Sequence, residues 1–421
     1  MESRLHSLAL DVTHSGPDDV AFDGLRVLQH PDRMHKFLTG RELDIVPVMV
    51  QLWPSLSCDV RCPTCPYRLT DARDRADADA ELHIMSVNHF RKIIASLEKA
   101  GVKSVFLTGG GEPLVHPSIR EMVSILGASK LGWGLFTNGT SLTPSLANAI
   151  LTANPGFFRV SLDAGSPRLY RKIYGVSEGM FDTVVHNIAT TGKIAKQHGF
   201  NWFGAGFALL PNVSDADIVD IRRLLVRLFE ETALGVNFAS FRPRVVHFKG
   251  TTPVAPQKYA GQYQELASRI RALVTIPIHE KYGTAVRIDH KFGVFTDCDR
   301  PSTPIGGWGA SWTTTLDHLG RGSSISHLTG SSGNPSAWAT SGDWENFSDV
   351  WTSSERRAIH RSIVAGDLKL PIANGFRSID AFLEKVKLLF PTPLSPSEAT
   401  EELADVESWV FHRSSRPIFV G

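Results

Sequence analysis

The sequence predicts an α/β fold built as a (β/α) barrel or part of one. From about Val46 to Pro243, short apolar runs alternate with amphipathic stretches, the pattern of parallel strands joined by helical crossovers. Polar residues collect at the C-terminal ends of successive runs, where the loops of such a barrel meet. The 421 residues, 42% hydrophobic and 21% charged, can bury a real core and lack the composition of a disordered chain.

Six strands fit the pattern better than eight: Val46–Trp53, Ser104–Thr108, Gly132–Thr137, Phe158–Leu162, Trp202–Leu209 and Val236–Phe241. Between them, Ser86 is placed to cap a helix carrying Phe90, Ile93, Ile94 and Leu97 on one face, with Gly101 just past its end. Thr143-Pro144 has the cap-then-proline order of a helix start. Ser214 opens a third helix with Ile218, Ile221, Leu224, Leu225 and Leu228 as its stripe. These stripes are core. After Pro243 the alternation weakens: a helix over Gln257–Leu273, a strand over Thr284–Phe292, short hairpins in the Ser/Thr/Gly-rich stretch Ser302–Gly342, then helices over Asp343–Ile363 and Ile379–Phe390. Pro391, Pro393 and Pro396 mark a linker before a last short helix. The expected division is an extension over 1–45, the barrel over 46–250, a C-terminal capping region over 251–390 and a tail over 391–421.

Lys and Arg number 44 against 43 Asp and Glu, a net charge of +1, so no global field for nucleic acid or anionic membrane follows. No apolar run reaches membrane-span length, and Met1–Leu10 reads as neither signal peptide nor mitochondrial targeting helix, so a cytoplasmic location is expected. Of the four cysteines, Cys58, Cys62 and Cys65 fall within eight residues, a spacing that suits a metal centre in a reducing compartment better than a disulfide framework. They follow the first strand directly, in a loop with Pro54, Pro63 and Pro66. Iron–sulfur cubanes usually take four thiolates. Three thiolates leave one iron open to a chelating ligand. A structural zinc site completed by Cys298 or a histidine, and cysteines without any metal, stand beside that reading.

The second strand runs into Gly109-Gly110-Gly111-Glu112-Pro113, where residues without Cβ allow close backbone approach. The third ends in Thr137-Asn138-Gly139, and the fourth carries Ser161-Leu162-Asp163. With Cys58-x3-Cys62-x2-Cys65 ahead of them, these motifs resemble the radical S-adenosylmethionine superfamily over about Val46 to Pro243. The resemblance implies a partial (β/α)6 barrel of TIM type. Cys58, Cys62 and Cys65 would hold one [4Fe–4S] cluster, whose fourth iron is chelated by S-adenosylmethionine. It also implies that the backbone around Gly110, Gly111 and Glu112 meets the methionyl amino group, that Asn138 and Ser161 reach the ribose or carboxylate, and that Thr137 and Asp163 belong to the same cofactor-binding set. Leu209–Asn212 resembles a further cofactor-side segment. Thr64 departs from the aromatic residue that often precedes the last cysteine, which leaves the adenine contacts unassigned. The implied chemistry is one-electron reduction, cleavage of the sulfonium C–S bond and hydrogen abstraction by a 5′-deoxyadenosyl radical, with an external donor such as flavodoxin or ferredoxin.

Cys298–Pro301, the hairpin-like Thr313–His327 and Trp344–Arg361 resemble the C-terminal extension that carries auxiliary clusters in many members. Here Ser323, Ser324, Ile325 and Ser326 stand where cysteines would be expected, and Cys298 reads as a small core residue. One cluster per chain follows, within an α+β extension that lacks auxiliary-cluster cysteines. The missing internal electron acceptor favours redox-neutral chemistry. Trp308, Trp312, Trp338, Trp344 and Trp351 suit a small domain core better than sugar stacking. Asn237, Arg242 and Asp289 are the expected substrate contacts, and Asp289 and His290 the expected catalytic residues; the reaction needs a general base and a general acid. Lys291 and the pair Asp297 and Asp299 lie close by in sequence.

A narrower resemblance, carried by Cys58–Arg68 and the cysteine-poor extension, is to enzymes that rework sugars in aminoglycoside biosynthesis. It implies a lyase that dehydrates an aminosugar such as paromamine, with a partner reductase acting on the product. A sugar epimerase or dehydrogenase, a peptide-modifying radical enzyme and a non-catalytic metal-binding module are the competing readings.

Overall fold

A computed structural model describes residues 3–13, 24–63, 65, 83–244, 260–290, 292, 308–324, 346–365, 367 and 377–413. Thr64, Pro66–Arg68, Lys291, Asp297–Pro301, Ile325–His327, Trp338 and Trp344 lie outside them.

Nine strands among the described residues form one sheet: β1 (Met49–Leu52), β2 (Ser104–Leu107), β3 (Gly132–Thr137), β4 (Phe157–Ser161), β5 (Phe203–Leu209), β6 (Phe238–Pro243), β7 (Arg287–His290), β8 (Thr313–Leu316) and β9 (Gly322–Ser323). The spatial order is β7-β6-β5-β4-β3-β2-β1-β8-β9, and every neighbouring pair is parallel except the hairpin β8/β9. The six expected strands are present and in chain order across the sheet. Two further parallel strands flank them: β7, within the strand expected over Thr284–Phe292, adds beside β6, and β8 pairs with β1 on the other side, Met49 opposite Thr313. The sheet therefore runs unbroken across residue 250, and the expected hairpin near Thr313 is part of the barrel sheet.

Helices α1 (Arg4–Thr13) and α2 (Pro31–Leu38) precede the sheet. The crossovers are α3 (Val87–Ala100), α4 (Ile119–Ala128), α5 (Pro144–Thr152), α6 (Pro167–Tyr174), α7 (Gly179–Gln197) and α8 (Asp215–Glu231). Ser86, Thr143 and Ser214 cap α3, α5 and α8 by accepting from the backbone N–H of His89, Leu146 and Asp217. Beyond β6, α9 (Ala260–Ile270) continues through a π-helical turn, Arg271–Thr275, into α10 (Ile276–Tyr282). Then come α11 (Phe347–Trp351), α12 (Ser354–Val364), α13 (Arg377–Leu389) and α14 (Pro396–Arg413), the last longer than the short helix expected there.

Strand residues alternate between two environments. Val105, Leu135, Phe158, Val160, Ala205, Ala239 and Phe241 point outward into one large core shared with the crossover helices. On the inward face Phe106, Phe136, Phe157 and Phe238 form an aromatic chain, with centroids 5.0, 5.8 and 5.2 Å apart. A second core, built from α1, α2, α13 and α14 with Met49, Phe106 and Trp312, closes the N-terminal end of the strands. The open end is the C-terminal one, where the motif loops lie.

Candidate active site

Cys58, Cys62 and Cys65 are half-buried on the loop after β1, and the Cys65 N–H donates to the Cys62 carbonyl at 3.1 Å to make a tight turn. The loop rests directly on the glycine motif after β2. Gly111 N–H donates to the Ser55 carbonyl at 3.1 Å and Glu112 N–H to that of Ser57 at 2.8 Å. A Cβ on Gly111 would stand 2.2 Å from the Ser57 oxygen, and one on Gly110 2.6 Å from Leu56 Cδ2. What these glycines admit is the chain's own cysteine loop. Gly175, at the end of α6 with φ +66°, supports the same loop from below, since a Cβ there would lie 2.9 Å from the Arg61 oxygen.

The Glu112 side chain is buried and bridges motifs. It accepts from Thr137 Oγ1 at 2.5 Å, Asn138 N–H at 2.7 Å and Leu114 N–H at 3.0 Å. Burial outweighs these donors and raises its pKa to about 7. Thr137 in turn accepts from Gly139 N–H at 3.0 Å. Asn138 Nδ2 donates to Asp59 Oδ1 at 2.7 Å and faces Cys58 Sγ at 3.9 Å. Asp59 also accepts from Ser141 Oγ at 3.1 Å and from the Thr140 hydroxyl. Asp59, inside the cysteine triplet, thus ties the loop to the end of β3. Sequence reading missed it, although its place between two cysteines marks it.

Ser161 lies at the end of β4, half-exposed, its carbonyl accepting from the Tyr174 hydroxyl at 2.9 Å. Asp163 adopts φ +56°, a left-handed backbone that Asp tolerates better than most residues. Its carboxylate accepts from Ala208 N–H at 2.6 Å and the Tyr174 hydroxyl at 3.0 Å, with Arg244 Nη1 at 3.5 Å. So the side chains of Glu112, Thr137 and Asp163 are engaged by the protein itself, holding β2 to β3 and β4 to β5. Burial first, and then the neighbouring Cys65, push the Cys62 thiol up to about 12, while the Arg244 charge acts the other way. A bound metal would displace that proton.

On the inward face stand Ser240 on β6 and Asp289 on β7, level with Ser161, with Arg159 on β4 deeper and Arg242 on β6 nearer the open end. Arg159 is buried, stacks 4.1 Å from the Phe136 ring centroid and donates to Ser240 Oγ at 3.4 Å. Gly206 makes room for it, since a Cβ there would lie 2.9 Å from Arg159 Cδ. Asp289 pairs with Arg287 Nε at 2.6 Å. Two expected residues are elsewhere. His290 is the strand neighbour of Asp289 and therefore faces outward, 2.7 Å from Thr275 Oγ1 and stacked on Phe241. Asn237 precedes β6, at the closed end of the barrel, where its carbonyl accepts from Arg287 N–H at 2.9 Å. Sequence reading also missed Arg159, a charge at an inward position of an otherwise apolar strand, two residues before Ser161.

A family model described as the Radical SAM superfamily matches residues 54–225, the stretch that carries this loop and the motifs packed on it. The chain carries a Radical SAM domain. Among curated relatives, the mycofactocin maturase MftC of Mycobacterium tuberculosis is 29% identical over 155 residues, 36% of this chain and 37% of that protein. The GTP 3′,8-cyclase of Chlorobaculum tepidum is 31% identical over 125 residues, 30% of each chain. The chain thus spans about a third of the length of these relatives. Among solved structures, Streptococcus suis SuiB has a TM-score of 0.53 at 13% identity, covering 76% of this chain and 70% of SuiB. A native anSMEcpe structure with bound AdoMet and a peptide has a TM-score of 0.52 at 12% identity, covering 86% of this chain and 99% of that one. These likenesses show the α/β fold with its partial TIM barrel.

The Radical SAM superfamily comprises enzymes that use a [4Fe–4S] cluster and S-adenosylmethionine. The residues present fit those groups. The donor set is three thiols on one loop, an all-sulfur set suited to iron–sulfur binding. Among the described residues no three His, Cys, Asp or Glu side chains converge on a single ion, and a cluster whose irons each take one thiolate needs no such convergence. No described helix is long and apolar enough to cross a membrane.

Proposed function

We propose that this chain is a radical enzyme that reductively cleaves S-adenosylmethionine and abstracts hydrogen from a small molecule held on the inward face of the barrel. The observation that carries this reading is the seating of the Cys58–Cys65 loop on Gly110 and Gly111, with Asn138 and Asp59 joining it to the end of β3. When bound, cluster and S-adenosylmethionine supply one-electron reduction and hydrogen abstraction. The chain's own residues do the rest. Cys58, Cys62 and Cys65 bind the irons, the backbone from Gly110 to Glu112 receives the cofactor's amino end, and Asn138 and Ser161 orient it from β3 and β4. The closed end of the barrel excludes water behind the substrate. An external one-electron donor is required.

The finer reading is redox-neutral dehydration, a lyase reaction. Its support is that the chain's one further cysteine, Cys298, cannot by itself hold an auxiliary cluster. Asp289 is the inward-facing candidate base, and the outward position of His290 removes it from that role. The aminosugar form of this reading rests on Asp289 as the contact for an ammonium group, and Arg287 already takes that carboxylate.

Anaerobic reconstitution tests the proposal. About four irons per chain are expected, with a cluster spectrum that changes on adding S-adenosylmethionine and 5′-deoxyadenosine formed on reduction. Cys62→Ala is expected to lose all three. Stoichiometric zinc, or iron at about twice that content, would overturn the reading.

A further inference from the structure

We propose that the inward face of the barrel is an anion site, in which Arg159 and Arg242 hold a carboxylate or phosphate group of the substrate. This rests on the reading above that a small molecule occupies the barrel, and it names the charge that molecule carries.

Arg159 is 5% exposed, and among the described residues no carboxylate lies within ion-pair distance of it or of Arg242. Its Nε has no hydrogen-bond partner among those residues, and its Nη1 donates to the Ser240 hydroxyl at 3.4 Å. The acids nearest in the barrel are committed: Asp289 to Arg287, and Asp163 to Ala208 N–H, Tyr174 and Arg244. Burial and then the like charge of Arg242 lower the Arg159 pKa to about 9 against the opposing charges of Asp163 and Asp289, which lie beyond ion-pair distance, so it remains a cation at neutral pH.

A buried guanidinium beside a second one, with no anion of its own, is costly unless a ligand completes it. The surroundings are arranged to keep it rather than to neutralise it. Gly206 leaves space for its stem, the Phe136 face lies under it, and Ser240 meets one nitrogen. The planar guanidinium presents paired donors suited to carboxylate or phosphate oxygens. Arg159 lies two residues short of Ser161, so an anion on it sits deeper in the barrel than a cofactor at the strand ends. A cationic aminosugar would meet two positive charges here.

The test is thermal unfolding of the full chain, before and after anaerobic reconstitution, against inorganic phosphate and against succinate, with chloride matching the ionic strength. A saturating rise in Tm is expected with at least one of the two, and which one responds separates a phosphate from a carboxylate ligand. The rise should vanish in Arg159→Gln and persist in Arg91→Gln, whose exposed guanidinium pairs with Glu121 at 2.8 Å. If Arg159→Gln does not fold, Arg242→Gln, at the half-exposed end of β6, should weaken half-saturation by about tenfold. S-adenosylmethionine affinity of the reconstituted protein should change by less than about twofold in Arg159→Gln. No saturating rise in the wild type, an equal rise in Arg159→Gln, or loss of S-adenosylmethionine binding in that variant overturns the proposal. Unfolding needs no turnover, so the two readings fail separately. Arginine-dependent anion binding without 5′-deoxyadenosine formation sinks only the enzymatic reading, and cofactor cleavage without an anion response sinks only this one.

Discussion

Glu112 accepts three hydrogen bonds and still has a raised pKa, because removing the carboxylate from water costs more than those donors return. An acid whose pKa is higher in the folded chain stabilises the fold most where it is protonated in both states. That contribution is lost as pH rises from about 4.5, its ordinary value, through about 7. Wild type should therefore lose about 3 kcal/mol relative to Glu112→Gln over that window, read from denaturant unfolding at a series of pH values. A parallel pH dependence in the two proteins would show that the carboxyl is not buried as described. Asn138 acts on the other side of the same loop. Its amide faces Cys58 Sγ, and N–H groups directed at cluster sulfurs raise the reduction potential. Asn138→Ala should keep its iron and shift the midpoint to more negative potential by tens of millivolts, measured by potentiometric titration. Unchanged potential with unchanged iron would remove the amide from that role.

Gly111 and Gly179 separate two uses of the same residue. A Cβ on Gly111 meets the Ser57 oxygen and the Leu56 carbonyl carbon, both backbone, so Gly111→Ala must displace the cysteine loop. It should cost about 1–3 kcal/mol and lower iron content. Gly179, in the first turn of α7, has open space around it, and Gly179→Ala should be neutral or stabilise by up to about 1 kcal/mol. Urea unfolding with iron analysis distinguishes them. Elements of this kind are legible in the sequence where the cause is local. The strands from Met49 to Pro243 show themselves because outward positions are apolar, and Ser86, Thr143 and Ser214 announce the helices they cap. The four motif loops are legible too, since each follows its strand directly. β8 is legible only in part: Thr313–His327 reads as hairpin-like, but nothing in Thr313-Thr314-Thr315 marks a buried strand that pairs in parallel with β1. His290 is misread for a geometric reason. Successive strand residues face opposite ways, so Asp289 and His290 cannot both enter the barrel.

Across the whole molecule, the two ends of the described chain meet beneath the barrel. Glu402 on α14 accepts from Leu5 N–H at 3.0 Å and Ser3 Oγ at 3.0 Å, and pairs with Arg4 at 3.2 Å. Glu402→Ala should lower stability by about 1–2 kcal/mol while leaving cluster content unchanged, because the partners of Glu402 are Ser3, Arg4 and Leu5 at the closed end. Loss of iron in that variant would mean that the lower core holds the upper loops in place. The pairing of β1 with β8 has a consequence in time. Met49 finds Ser104 soon after both emerge from the ribosome, but its other partner, Thr313, arrives far later in synthesis. Until then the strand that leads into the thiols has one unsatisfied ladder edge, open to pairing with another nascent chain. Completion of β1 is a long-range event of the kind that slows folding. The edge beside the three thiols is therefore closed by a strand that lies more than half the sequence further along, not by its nearest neighbour in the chain.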